Sequence, residues 1–297
     1  TVSVVSLVIA SFIASLLLWA FEPDCLGDLT VPRGGWPSHP ICQTYPAIEH
    51  IVMDGGSTDG SPALLERGGP CVHWRSEPDR GQAHALNKAF SASRGDIIGW
   101  LNSDDAYFDT RVVADVVSFF VRNPGVDLVY GHAAYVDADG RLLHYFWAPP
   151  FHERLLRLYD FIIQPAAFFR RAAIREPFVD ETMDFAMDHE LWLRLAGTHR
   201  LVRFDRVIAI DRAQPDRKSV TQLHKRDADQ AWLRDTYGIT VSRAARSAAA
   251  AHHVYCRLRG TRLALGRPKD LAFPALQDGR AALLRRQIGQ RRAKMPR

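Results

Sequence analysis

The chain has 297 residues, 47% apolar and 24% charged, which is enough to bury a sizeable core and excludes a disordered or collagen-like polypeptide. Its four cysteines (Cys25, Cys42, Cys71 and Cys256) are far apart and form no C-x-x-C pair, which argues against a disulfide scaffold and a zinc site and fits a reducing, cytoplasmic setting. The net charge of +5 is unevenly placed: residues 257–297 hold 12 Lys/Arg against 2 Asp/Glu, so residues 1–256 carry −5 and the basic character belongs to the tail.

Residues 1–21 contain no charge. A run of that length reads either as a membrane-spanning helix with Trp19 at the interface or as a buried strand followed by a buried helix, and periodicity does not separate the two. Residues 22–46 scatter Pro, Gly, Cys and Trp without period and read as loop. From Ile48 onward the text alternates. Strands are predicted at residues 51–53, 72–74, 96–101 and 127–130, with helices at 62–67, 82–92 and 110–122 between them. Strands at 133–136 and 142–146 follow, joined by a hairpin signal at Asp137-Ala138-Asp139-Gly140, then a helix at 151–159, a strand at 166–169 and helices at 188–196 and 244–251. This pattern predicts an α/β fold with a mainly parallel sheet flanked by helices, in which ligands sit beyond the carboxyl ends of the strands. Three regions result: an atypical apolar segment (1–43), the α/β domain (44–240) and a helical, basic tail (241–297).

Acidic residues cluster at predicted strand ends. Asp54-Gly55-Gly56-Ser57-Thr58-Asp59-Gly60 fails the dinucleotide fingerprint, because Ser57 stands where a glycine is needed, and fails as a calcium loop, because Asp59 occupies the glycine position. What remains is a carboxylate at a strand tip beside a hydroxyl-rich turn, suited to a base or ribose edge; a turn that only caps the next helix is the structural alternative. Asn102-Ser103-Asp104-Asp105 follows the most apolar strand, and adjacent carboxylates there call for a divalent cation, Mg²⁺ or Mn²⁺ by ligand hardness. Arg80 and Lys88 bracket a helix start that suits phosphate, or else form ordinary surface ion pairs. Asp188 lies near the start of a helix, where it either caps or acts as a general base toward an alcohol if its pocket raises its pKa. Gln164 precedes an apolar strand and could line the same cleft.

In order, residues 51–60, 76–88, 95–105, 164–171 and 187–194 resemble the motifs of family 2 glycosyltransferases of GT-A fold, over about residues 44–222. The resemblance implies a metal-dependent, hexosyltransferase-type enzyme that moves a sugar from a nucleoside diphosphate sugar to an acceptor hydroxyl with inversion, in the synthesis of a surface polysaccharide or glycolipid. It implies that Asp54 contacts the nucleoside, that Arg80 and Lys88 lie by the diphosphate, that Asp104 lies nearer the ribose, and that Gly56, Ser57, Asp59 and Asn102 also bind the nucleotide sugar. Asp105 would hold Mn²⁺ or Mg²⁺, Asp188 would be the base, and Gln164 and Glu190 would face a saccharide or lipid-linked acceptor.

Two departures from the family pattern stand out. Residues 6–42 do not continue the expected first strand and helix, although Gln43-Thr44-Tyr45-Pro46 resumes the expected text; a shifted reading frame or real divergence would each produce this. Gln214 stands where relatives often carry His, with Arg212 or Lys218 as nearby cations. A catalytically impaired nucleotide-binding or scaffold protein of the same fold is the competing reading. A nucleotidyltransferase would want a Gly-rich, Arg-containing loop near the start, and residues 1–21 hold neither residue. The tail lacks the aromatic interleaving of a nucleic-acid binder and suits attachment to an anionic membrane surface at the inner face of the plasma membrane.

Overall fold

Short apolar runs bounded by polar turns become the strands of one nine-stranded sheet. The computed structural model describes residues 3–11, 43–66, 72–137, 142–213, 223–240 and 242–264. The readings given above for residues 12–42, the hairpin tip at Asp139 and Gly140, Gln214, Lys218 and the tail beyond residue 264 lie outside the described residues.

The strands are β1 (Val5–Ser11), β2 (Ile48–Asp54), β3 (Val72–Ser76), β4 (Ile97–Asn102), β5 (Ala106–Tyr107), β6 (Leu128–Val136), β7 (Leu142–Phe146), β8 (Ala167–Arg170) and β9 (Leu201–Arg212). The helices are α1 (Ser61–Leu65), α2 (Gln82–Ala92), α3 (Val112–Arg122), α4 (Glu153–Leu158), α5 (Met187–Ala196), α6 (Leu223–Thr236) and α7 (Arg243–Ala264). Across the sheet the order is β3-β2-β1-β4-β8-β6-β9-β5, with β7 added to β6. The first four strands run parallel. β8 is antiparallel to both β4 and β6, so β6 and its parallel partner β9 share the direction of the first four.

Residues 5–11 near the start of the chain form β1. Val5, Leu7, Val8 and Ile9 are all buried, as a central strand covered on both faces requires. The strand lies between β2 and β4, with Ser11 opposite Asp54 and Ala10 opposite Asn102. The sheet therefore keeps a strand beside Asp54 even though residues 6–11 depart from the family pattern. Among the described residues no helix is long and apolar enough to cross a membrane.

The two faces of the sheet are covered separately. Phe169 meets Phe90 of α2 at 6.0 Å between ring centroids, whereas the guanidinium of the next residue, Arg170, sits 5.0 Å over the ring of Phe120 in α3. Consecutive strand residues point to opposite faces, so α2 and α3 cover opposite sides. Phe90 also packs edge-on against Trp100 and Phe178, and α3 buries Val112, Val113, Val116, Val117 and Phe120.

Several elements differ from expectation, among them β6, β9 and α7. The strands predicted at 127–130 and 133–136 are one strand, β6, with register shifts around His132. At Gly131 a Cβ would stand 2.6 Å from the Arg206 carbonyl oxygen, so glycine lets β9 approach. β9 itself escapes a hydropathy reading because Arg203, Asp205 and Arg206 interrupt it. Arg206 is nonetheless buried, pairing Asp109 at 2.9 Å and Asp115 at 2.7 Å. The helix predicted at 244–251 extends over 22 residues as α7 and docks on Trp147: the Trp147 N–H donates to Cys256 Sγ (3.3 Å), His252 Nε2 donates to its carbonyl (2.7 Å), and Arg259 stacks on its ring at 4.1 Å.

Gly99 of β4 marks the tightest packing near the sheet centre. A Cβ there would lie 2.5 Å from Tyr107 Oη and 2.6 Å from a Phe168 ring carbon, in a layer where those two rings stack at 5.3 Å. Overpacking of this kind costs about 1–3 kcal/mol. Gly99→Ala is therefore expected to lower the urea midpoint without changing the slope of the transition, and an unchanged midpoint would show that the layer has slack.

Candidate active site

The rim formed by the carboxyl ends of β2 and β4 gathers most of the polar residues expected from the sequence. Asp54 ends β2 and is 1% exposed. Its oxygens accept hydrogen bonds from the Ser57 amide (2.8 Å), the Ser57 hydroxyl (2.5 Å) and the Ser76 hydroxyl at the end of β3 (2.6 Å). Gly56 turns with φ +83, a conformation that favours glycine, and packs on the backbone of Pro78. Asp59 Oδ1 accepts from the amide (3.0 Å) and hydroxyl (2.6 Å) of Ser61, the first residue of α1. The capping alternative thus applies to Asp59, while Asp54 is held at the rim.

A second cluster centres on Asn102 at the end of β4. Its amide donates to Asp105 Oδ2 (2.9 Å) and Gln164 Oε1 (2.8 Å), and its oxygen accepts from Gln82 Nε2 (3.0 Å). Gln164 in turn donates to the Trp100 carbonyl. Four elements are thereby pinned to one amide: the end of β4, the turn bearing Asp104 and Asp105, the first residue of α2, and the single 3₁₀ turn Gln164–Ala166 that opens β8. Asp105 is 6% exposed and directly precedes β5; Ala106 pairs Ile210, so Asp211, 7% exposed, stands at the next position of that antiparallel ladder. Sequence reasoning overlooked Gln82 and Asp211. The first looks like an ordinary helix-start residue, and the second becomes relevant only through strand pairing.

The third cluster is acidic and carries little compensation. Asp188 is the second residue of α5, and Asp160 follows α4 close enough for the two negative charges to repel. Burial and this repulsion hold the Asp188 carboxyl well above the ordinary carboxylate range, up to about 7, and burial raises Asp160 likewise. Asp188 Oδ1 accepts from the His189 amide (2.8 Å) and Asp160 Oδ1 from the Ile162 amide (3.0 Å). His189, whose proton affinity burial lowers, anchors α5 to the Leu156 carbonyl through Nε2 at 2.8 Å. The short run from Asp160 to Gln164 links this cluster to Asn102 and Asp105.

The other expected residues stand apart from these clusters. Arg80 pairs Glu181 at 2.6 Å and Lys88 pairs Glu77 at 2.9 Å, and both line a groove of about 1110 Å³ between α2, β3 and residues 176–181. Glu190 is 6% exposed, bound by Arg194 at 3.1 Å and by the Tyr237 hydroxyl at 2.9 Å. It ties α5 to the end of α6.

A sheet with this strand order and with carboxylates along its carboxyl rim is the GT-A fold of glycosyltransferases. Residues 41–180, a little under half of the chain, match the profile of "Glycosyl transferase family 2". An uncharacterised glycosyltransferase of Mycobacterium tuberculosis is 42% identical over 85 residues, 28% of this chain and 32% of that protein. The O-antigen biosynthesis protein RfbC of Myxococcus xanthus is 28% identical over 60% of this chain and 13% of its own length, and the hyaluronan synthase of Pasteurella multocida 26% identical over 61% and 19%. The chain thus spans a third or less of the length of these relatives. Among solved structures, S. aureus TarS 1–349 in complex with UDP superposes with TM-score 0.52 at 16% identity, covering 71% of this chain and 61% of that one. The mannosyltransferase PcManGT from Pyrobaculum calidifontis, in complex with GDP-Man and Mn²⁺, gives 0.53 at 18% identity over 99% and 88%.

The Asp160/Asp188 pair makes stability depend on pH. Both carboxyls bind protons more tightly folded than unfolded, so their contribution is full below the ordinary value of 3.8 and is lost as pH rises toward about 7. Asp160→Asn removes one such group and the charge facing the other. Chemical denaturation at about pH 5 and about pH 8 is expected to show a smaller loss of stability in the variant than in the wild type. An equal loss in both proteins would mean that neither the Asp160 carboxyl nor its repulsion of Asp188 is linked to folding.

Proposed function

We propose that this protein transfers a sugar from a nucleoside diphosphate sugar to an acceptor hydroxyl with inversion, with Asp188 as general base. The observation that carries the proposal is that the proton-hungry Asp188/Asp160 pair is joined through residues 160–164 to the Asn102–Asp105 cluster at the strand rim. A carboxylate that titrates near neutral pH is matched to removing a proton from an alcohol as its oxygen attacks. Attack from the base side, opposite the departing diphosphate, inverts the anomeric centre.

The nucleoside would lie against Asp54 and the Gly56–Ser57 turn, whose donors already gather at the end of β2. Asn102 would orient both Asp105 and Gln164, with Asp104 toward the ribose and Gln164 toward the acceptor side. Asp105, joined by Asp211, fits a hard divalent cation. Among the described residues no three Asp, Glu, His or Cys side chains cluster. That suits Mg²⁺ or Mn²⁺, which take one or two protein carboxylates and complete their shell with phosphate and water. Such a cation would supply charge neutralisation at the leaving diphosphate. The solved neighbours that carry UDP, UDP-GlcNAc or GDP-Man support a nucleotide sugar as donor, and the O-antigen and hyaluronan relatives support a saccharide or lipid-linked acceptor in polysaccharide synthesis.

Contact with an anionic membrane surface is supported by α7, which exposes Val254, Tyr255 and Leu258, and by the +10 balance of residues 257–297.

Two experiments test this reading. Asp188→Asn should reduce transfer by roughly 10²–10⁴-fold while leaving the Mn²⁺-dependent thermal shift by UDP or GDP intact. Asp105→Ala should abolish that shift, and transfer by Asp188→Asn at the wild-type rate would sink the assignment of the base. For the membrane, V254D/L258D should sediment less with phosphatidylglycerol vesicles than the wild type does. Equal recovery would remove α7 from the account.

A further inference from the structure

The turn that leads into α5 has no cap of its own. Its N-cap residue is Ala186, whose side chain accepts nothing. Three successive backbone amides just before the helix, those of Asp184, Phe185 and Ala186, all donate to one oxygen, Oδ2 of Asp229, at 3.0, 2.7 and 3.1 Å. Asp229 lies on α6, 43 residues further along the chain than Ala186, and is 9% exposed. One turn earlier on the same helix Lys225 pairs the carboxylate of Asp184 at 3.0 Å. Beyond the turn, Tyr237, just past the end of α6, donates to Glu190, and Arg157 of α4 donates to the Tyr237 carbonyl at 3.0 Å. Asp188 sits between these anchors, two residues after the last amide that Asp229 holds and two before Glu190.

A carboxylate gathering three amides is a strong, charge-assisted clamp, and it has no local substitute here. We propose that Asp229 is a positioning residue for catalysis: by fixing the turn 184–186 it sets where the carboxylate of Asp188 points. The proposal rests on the reading of Asp188 as the base. It also gives α6, which lies outside residues 41–180, a part in the reaction.

The groups that face Asp188 are Asp160 across from it and His189 beside it; the Asp184–Lys225 and Glu190–Arg194 pairs flank it along the chain. None of these is altered by substituting Asp229. The burial that raises the Asp188 carboxyl depends on the turn staying closed, so loosening the turn admits water and lowers its proton affinity.

The test compares Asp229→Asn and Asp229→Ala with Asp188→Asn in the full chain. Asp229→Ala is expected to lose on the order of ten- to a hundredfold in kcat, the scale of a misplaced reacting group, with the donor KM changed less than about twofold. The acid limb of its kcat–pH profile should move to lower pH. Asp229→Asn keeps the shape and one acceptor oxygen, so it should fall between alanine and wild type on both readouts. Wild-type kcat with an unmoved acid limb in Asp229→Ala would overturn the proposal. So would equal losses in kcat and donor affinity, or failure of both variants to fold, since each would make Asp229 a residue of the fold alone. If Asp188→Asn still transfers sugar, the assignment of the base fails first. An inactive Asp188→Asn beside a fully active Asp229→Ala would sink only the present inference.

Discussion

A carboxylate withdrawn from water must be surrounded by donors, paired with a cation or allowed to keep its proton, and this constraint orders the whole rim of the sheet. The acids described above meet it in different ways. Asp54 is satisfied by one amide and two serine hydroxyls, Asp229 by three amides, and Asp109 by the guanidinium of Arg206. Asp188 and Asp160 accept from neighbouring backbone amides and face one another. The first group is held in place by its donors. The second is left with an appetite for protons, the property on which the proposed role of Asp188 draws.

The fold brings these groups together through strand ends rather than through sequence proximity. β2 and β4 flank β1, so Asp54 and Asn102 stand at the same edge although 48 positions separate them. The Asn102 amide then serves as the hinge between two halves of the site. Its donors orient a carboxylate on one side and a glutamine on the other, and the glutamine belongs to the segment that bears Asp160. An asparagine is suited to this place because it offers donors and an acceptor without adding charge to an already acidic rim.

Much of this was legible from residue pattern. The apolar runs ending at Asp54 and Asn102 and the helix over residues 82–92 are found where hydropathy puts them, because each is bounded by residues that cannot continue it. β9 and α6 were not legible. β9 carries charges that read as surface until Asp109 and Asp115 are seen to neutralise Arg206, and α6 has a polar sequence whose value lies in Asp229 and Lys225 reaching back across the chain. Asp160 gave no signal either, since a lone acid after a short helix looks solvated until Asp188 is brought against it. Local pattern reports what a residue needs from its immediate neighbours; it is silent on needs met by a segment far along the chain.

The reversed direction of β8 has a consequence for how tolerant the site can be of change. Because β8 runs against β4, it begins at the edge where β4 finishes, and so the chain delivers Gln164 to the same rim without a crossover helix. Three ladder positions on the β4 side, pairing Ile97, Ile98 and Gly99 with Arg170, Phe169 and Phe168, and three on the β6 side hold that alignment. A slip of a single residue along so short a seam would exchange the two faces of β8, sending Phe169 away from α2 and carrying Gln164 out of reach of Asn102. Insertions and deletions close to this seam should therefore be far rarer among functional descendants of this chain than changes of side chain alone.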